Sequence, residues 1–178
     1  STLIIILTAT LALAVLPKPT LSAPTATISV LPGLLTIRPN AAGTTTQWAP
    51  SAGANWQCVD ESVQNGDTDY VYTATAAYVD SYNLQDHTTE TWSIQKVRVV
   101  MYAKTYGDDK VRPLINVYQA GSYYLYEGTL GPSESFISNY TMYYSDWATN
   151  PKTVAAWTWA DIDLLQAGFK SYQVTLPM

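Results

Sequence analysis

The sequence predicts an all-β fold, a jelly-roll β-sandwich with one short helix, preceded by a hydrophobic N-terminal segment that is helix or strand. Three observations carry this. From Trp56 onward, short runs rich in Val, Ile, Thr and Tyr recur between turn signals such as Asn65-Gly66-Asp67, Ala120-Gly121 and Gly131-Pro132. Only residues 158–168 have the start and stop chemistry of a helix within a globular domain. The charge is lopsided as well: no acidic residue precedes Asp60, and only Lys18 and Arg38 are charged before it.

Residues 1–19 come first. Leu3 through Leu16 is apolar except for Thr8 and Thr10, and Pro17-Lys18-Pro19 ends the run. A helix of about 16 residues would reach roughly 24 Å, short of the roughly 30 Å hydrocarbon core, so the segment is a poor bilayer span. It also reads as a secretory signal lacking a basic n-region, with cleavage points after Ala23 or Ala26. A third reading is an internal core element, since Ile4-Ile5-Ile6 is β-branched and could pair as a strand. The fourth, favoured here, is an assembly segment left by removal of a basic leader. In that reading Leu3, Ile4, Ile5, Ile6, Leu7, Leu11, Leu13, Val15 and Leu16 are buried against identical subunits, and membrane is a partner only before assembly.

Residues 20–39 read as a linker containing a strand. Residues 25–31 and 34–38 are short alternating or apolar stretches, closed by Pro32-Gly33 and Pro39-Asn40. Ile28 and Val30 join the assembly set, because residues 25–31 could complete a neighbour's sheet by β-augmentation.

Residues 40–178 form the sandwich. Strands are expected at 70–75, 93–102, 114–118, 122–126, 141–144 and 172–176, and the alternation from Ile94 to Val99 fits a half-exposed strand. In the helix, Thr158 is the N-cap, Asp161 and Asp163 sit in the first turns, and Gly168 closes the end. Ile162, Leu165 and Phe169 would share its apolar face.

The chain has 178 residues, 47% hydrophobic and 13% charged, which fits one folded domain and not disorder. A net charge of −5 argues against nucleic acid, whose binding rests on clustered Lys and Arg. One Cys (Cys58) and one His (His87) exclude an internal disulfide and a His/Cys zinc site built from one chain.

Several stretches carry a resemblance: residues 35–43, Asn55-Trp56 with Val59-Asp60-Glu61, residues 67–72, Asn150-Pro151 and residues 156–168. Together they resemble a broad group of extracellular or virion-associated jelly-roll proteins with concanavalin-like sandwiches. The resemblance covers roughly residues 35–178 and implies the fold more than a function. The N-terminal segment separately resembles a processed type IV-like pilin, although Ile5 stands where bacterial pilins usually carry Glu, and Pro17 and Pro19 shorten the helix. The implied function is a structural subunit of an extracellular, cell-surface filament. A carbohydrate-binding adhesin and a virion structural protein are the alternatives.

No catalytic residue is assigned, and an enzyme is not expected. Asp86-His87 followed by Thr88-Thr89 does not make a triad from sequence adjacency, and His87 reads as a lone loop histidine. Asp60, Glu61, Asp67 and Asp69 are hard oxygen ligands around a turn, suited to a structural calcium, with solvated loop acids as the other reading. No other cofactor is expected. Tyr123-Tyr124-Leu125-Tyr126 or Tyr143-Tyr144 would put one ring on each sheet face, and the outward rings could stack on surface glycans or cover a subunit interface. Asn139-Tyr140-Thr141 is a formal glycosylation sequon at Asn139.

Overall fold

The computed structural model describes residues 3–8, 34–89, 91–104, 110–129 and 140–172. Among these are eleven strands: β1 (Leu3–Thr8), β2 (Leu34–Ile37), β3 (Pro39–Thr46), β4 (Ala49–Pro50), β5 (Val71–Tyr72), β6 (Val79–Leu84), β7 (Lys96–Ala103), β8 (Lys110–Gln119), β9 (Ser122–Glu127), β10 (Thr141–Trp147) and β11 (Gln166–Tyr172). One short helix, α1 (Trp159–Asp163), precedes β11. The all-β sandwich with a single helix is therefore the fold observed.

Two main sheets carry the chain, in the orders β10-β7-β1-β2 and β3-β6-β11-β8-β9, with β4 and β5 forming a small third sheet. Among the described residues every strand pairing is antiparallel. The chain changes main sheet between β2 and β3, β6 and β7, β7 and β8, β9 and β10, and β10 and β11. That alternation lets each sheet offer one face to a shared core. Val97, Val99 and Met101 on β7 and Tyr143 on β10 meet Tyr82, Ile115, Ala167 and Phe169 of the opposite sheet in one apolar cluster. The alternation read from Ile94 to Val99 is realised here: Val97 and Val99 are fully buried, while Lys96 and Arg98 reach solvent and pair with Asp146.

The helix is shorter than the sequence pattern implies. Thr158 caps it as expected, its hydroxyl accepting from the Asp161 N–H at 3.1 Å while the Asp161 carboxylate accepts from the Thr158 N–H at 2.9 Å. It ends at Asp163, and Gly168, expected as its terminator, lies inside β11. The reason is tertiary: residues 166–170 gain strand partners on both sides, β6 and β8, which outweighs continuing a short helix. Ile162, Leu165 and Phe169 are all buried, but from helix, turn and strand respectively.

Strands β3 and β6 are additions to the expected set. Pro39-Asn40, read as a turn, opens β3, with Arg38 as the corner between sheets. β6 carries Asp80, Ser81 and Asn83, a polar content that reads as loop. Its polar atoms are satisfied by the strands and loops around it. Asp80 accepts from Asn55 Nδ2 and the Tyr82 hydroxyl, both at 2.7 Å, and from the Trp48 N–H at 3.2 Å. Opposite β6, β3 is irregular: Ala42 pairs with Tyr82 but Thr46 pairs with Asp80, so three residues of β3 arch over one of β6. Gln166 stabilises this arch, its Oε1 accepting from the Thr44 N–H at 3.1 Å and Thr44 Oγ1 at 2.9 Å.

Of the region read as assembly segment and linker, β1 and β2 belong to the first main sheet. β1 lies between β2 and β7, with Leu3 opposite Met101 and Thr8 opposite both Lys96 and Leu34. Leu11, Leu13, Val15, Leu16, Ile28, Val30 and Asn139 lie outside the described residues.

Candidate functional site

Two places are candidates for function: the position of β1 in its sheet, and a cleft at one end of the sandwich. The register puts Leu3, Ile5 and Leu7 level with core-facing Met101, Val99 and Val97 of β7, and Ile5 and Leu7 level with Ile37 and Leu35 of β2. Ile4 and Ile6 are level with Val100 and Arg98. The N-terminal run thus supplies an interior strand, hydrogen-bonded along both edges.

The cleft opens between the sheets where β7 ends and β8 begins. It has a volume of about 290 Å³. Buried Val71, Met101, Val111 and Phe169 line it, with Trp48 packed edge-on against Phe169 at a centroid distance of 4.6 Å. Tyr70, Tyr72, Tyr140 and Tyr172 complete the walls together with Lys104 and Lys110. Most of this set is invisible to a motif search, because it is assembled from six separate stretches. The one local signal is Tyr70-Val71-Tyr72, an alternation that buries the valine and leaves two rings 5.8 Å apart.

The four acids read as a calcium set are divided between partners. Asp67 is held by Lys104 and by the Tyr140 hydroxyl, bonds that keep its carboxyl below the ordinary range. Asn65 Nδ2 donates to Asp69 and, at 3.1 Å, to Glu61 Oε1. Among the described residues no three His, Cys, Asp or Glu side chains are grouped to hold a metal ion. Burial, and then the hydrogen bond and charge of Asp69, push the Glu61 carboxyl up to about 7, while sharing with Glu61 and Asn65 holds Asp69 down. Asp60 is raised chiefly by burial.

This pair has a measurable consequence. A carboxyl whose folded value lies above its unfolded one contributes stability that is complete below about pH 4.5 and declines as pH rises through about 7. Glu61→Gln keeps a hydrogen-bonding side chain without the charge. With a discount for solvent screening, about 1 kcal/mol is at stake. The Tm of E61Q is expected to exceed that of the parent by about 2–4 °C at pH 8 and to match it at pH 5. Equal melting temperatures at both pH values would remove the shared-proton account.

His87 is not isolated. Its backbone N–H donates to Asp163 Oδ1 at 3.1 Å, its Nδ1 lies 2.6 Å from the same oxygen, and its ring stacks on Trp159 at 4.8 Å. Asp163 thereby ties the helix end to the loop after β6. The outward tyrosines are also partnered: Lys152 sits 3.4 Å from the centroid of Tyr124, and Arg98 lies 4.1 Å from that of Tyr144. Each of these rings has a face covered by a cation.

Compared with family models, curated proteins and solved structures, the chain matches none. Among the described residues no helix is long and apolar enough to cross a membrane.

Proposed function

We propose that the chain is a structural subunit of an extracellular, pilus-like filament at the cell surface, joined to identical subunits by its apolar N-terminal strand. The observation that carries this reading is the interior position of β1. It pairs with β7 over six residues and with β2 over four, and residues 9–33 separate it from β2 along the chain. That stretch could span on the order of 80 Å when extended, about twice the roughly 40 Å breadth expected of a globule of this length. The slot between β2 and β7 can therefore take β1 from the same chain or from a neighbour with the same hydrogen bonds. Donation to a neighbour is a head-to-tail contact that does not close on itself, and it propagates as a fibre. The low charge of the chain suits repeated subunit contact.

Cysteine trapping tests this directly. Ile6 and Arg98 are paired across β1 and β7, and residues opposite each other on antiparallel strands lie within disulfide reach. Oxidised Ile6→Cys/Arg98→Cys protein is expected to give a ladder of covalent multimers on a non-reducing gel, from material that is filamentous by negative stain. A cross-linked monomer alone, at every concentration up to millimolar, would refute strand donation.

A further inference from the structure

We propose that the cleft between β5, β7, β8 and β11 is a binding site for a small anionic amphiphile, an apolar body ending in a carboxylate that pairs with Lys110. This does not depend on how β1 is assembled. Three observations support it.

The first is size. About 290 Å³ holds roughly ten non-hydrogen atoms if each takes on the order of 30 Å³, as a water molecule does in the liquid. That is the scale of a short carbon chain.

The second is the state of several polar groups on the walls, which are used within the chain. Trp48 Nε1 donates to the Tyr78 carbonyl at 3.1 Å, Ser171 Oγ donates to the Thr75 carbonyl at 2.7 Å, and Thr73 Oγ1 accepts from the Thr75 N–H at 3.1 Å. A sugar ring in this cleft would leave several hydroxyls without partners, each a loss that an apolar chain avoids. The buried surfaces of Val71, Met101, Val111 and Phe169 instead suit methylene groups.

The third is charge. Lys104, on the cleft wall, is neutralised by Asp67. Nearby, Arg112 and Lys170 share Glu127, at 3.8 and 2.7 Å. Lys110 lines the cleft and, among the described residues, forms no ion pair or side-chain hydrogen bond. In a chain of net charge −5, an ammonium with no partner among the described residues, beside an apolar cleft, selects a ligand with one carboxylate.

The test uses the full chain with 13C-methyl methionine, titrated with decanoate below its micellar concentration. The sequence has three methionines, of which Met101 lines the cleft and Met142 stands exposed on the other face of its sheet. The Met101 methyl is expected to shift saturably with decanoate while Met142 does not. Lys110→Met should weaken the affinity about tenfold, and 1-decanol should bind the parent about as weakly as decanoate binds that variant. Ala74→Trp, which puts an indole at an exposed position of the cleft wall, should abolish the Met101 shift with the circular dichroism spectrum unchanged. The proposal is overturned if Met101 does not respond, if Met142 responds equally, or if Lys110→Met binds decanoate as the parent does. A Met101 shift produced by oligoglucuronate and not by decanoate would assign the cleft to saccharides and overturn it equally.

Discussion

Gly168→Ala is expected to leave the chain largely unfolded at 37 °C. A Cβ built on Gly168 overlaps the backbone carbonyl oxygen of Asp80 and comes within 2.8 Å of Ser81 Cα. Neither obstacle is the end of a flexible side chain, so relief requires β6 and β11 to separate. Those strands share five paired residues, and β11 is also the route by which Ala167 and Phe169 enter the core. Their separation would give up ladder hydrogen bonds and packing together, a cost above about 4 kcal/mol that puts the substitution in the most damaging class. Gly43 meets Ser81 from the other side, where a Cβ would lie 2.6 Å from its backbone. The β3 arch and β11 are thus both held close to β6 by missing side chains. Urea unfolding and near-ultraviolet circular dichroism measure this; a G168A protein with parental midpoint and signal would show that β6 and β11 are not as tightly apposed as described.

Asp80→Ala is expected to cost about 3–5 kcal/mol, lowering Tm by roughly 10–15 °C. The Asp80 side chain is inaccessible to solvent and receives hydrogen bonds from Asn55, Tyr82 and the Trp48 backbone. Burial raises its carboxyl above the ordinary value, its hydrogen-bond donors opposing. Truncation leaves those donors without an acceptor, and the Tyr82 hydroxyl is itself fully buried. Asp80→Asn retains an oxygen for one or two of them and should lose less than half as much. Thermal melts of both variants check the ordering; equal losses would mean that the one oxygen Asn retains satisfies none of the three donors and that both carboxylate oxygens are required.

These two sites also mark where the sequence is legible and where it is not. The β class is legible because Val97, Val99 and Met101 alternate with Lys96 and Arg98, a two-residue period that needs no tertiary information. The Thr158 cap is legible for a similar reason, since its partner Asp161 is three residues away. β6 hides because Asp80, Ser81 and Asn83 look solvated until Asn55, Thr45 and Gln166 are brought to them from elsewhere in the chain. Gly168 misleads because a glycine after an amphipathic turn looks like a helix stop, whereas here it permits close approach of two strands. The cleft could not be foreseen residue by residue: Trp48, Val71, Met101, Lys110 and Phe169 become neighbours only when the two sheets close. The fate of Asp67 depends on Lys104, which lies on the far side of β6 in the sequence, and that of Glu61 on burial and on Asp69.

The interior place of β1 also sets an order of events. Its partner β7 lies at residues 96–103, so during synthesis β1 waits for a strand that emerges much later. Pairings so distant in sequence form slowly, because loop closure must precede any contact. For that interval β2 and β7 present unfilled edges while β1 remains unmatched, the condition under which strands are traded between molecules. Local concentration would then decide the outcome. If β1 is donated as proposed, a crowded surface where chains arrive together would favour exchange and a dilute solution self-insertion, and the same sequence would yield fibre or monomer according to how quickly its copies meet.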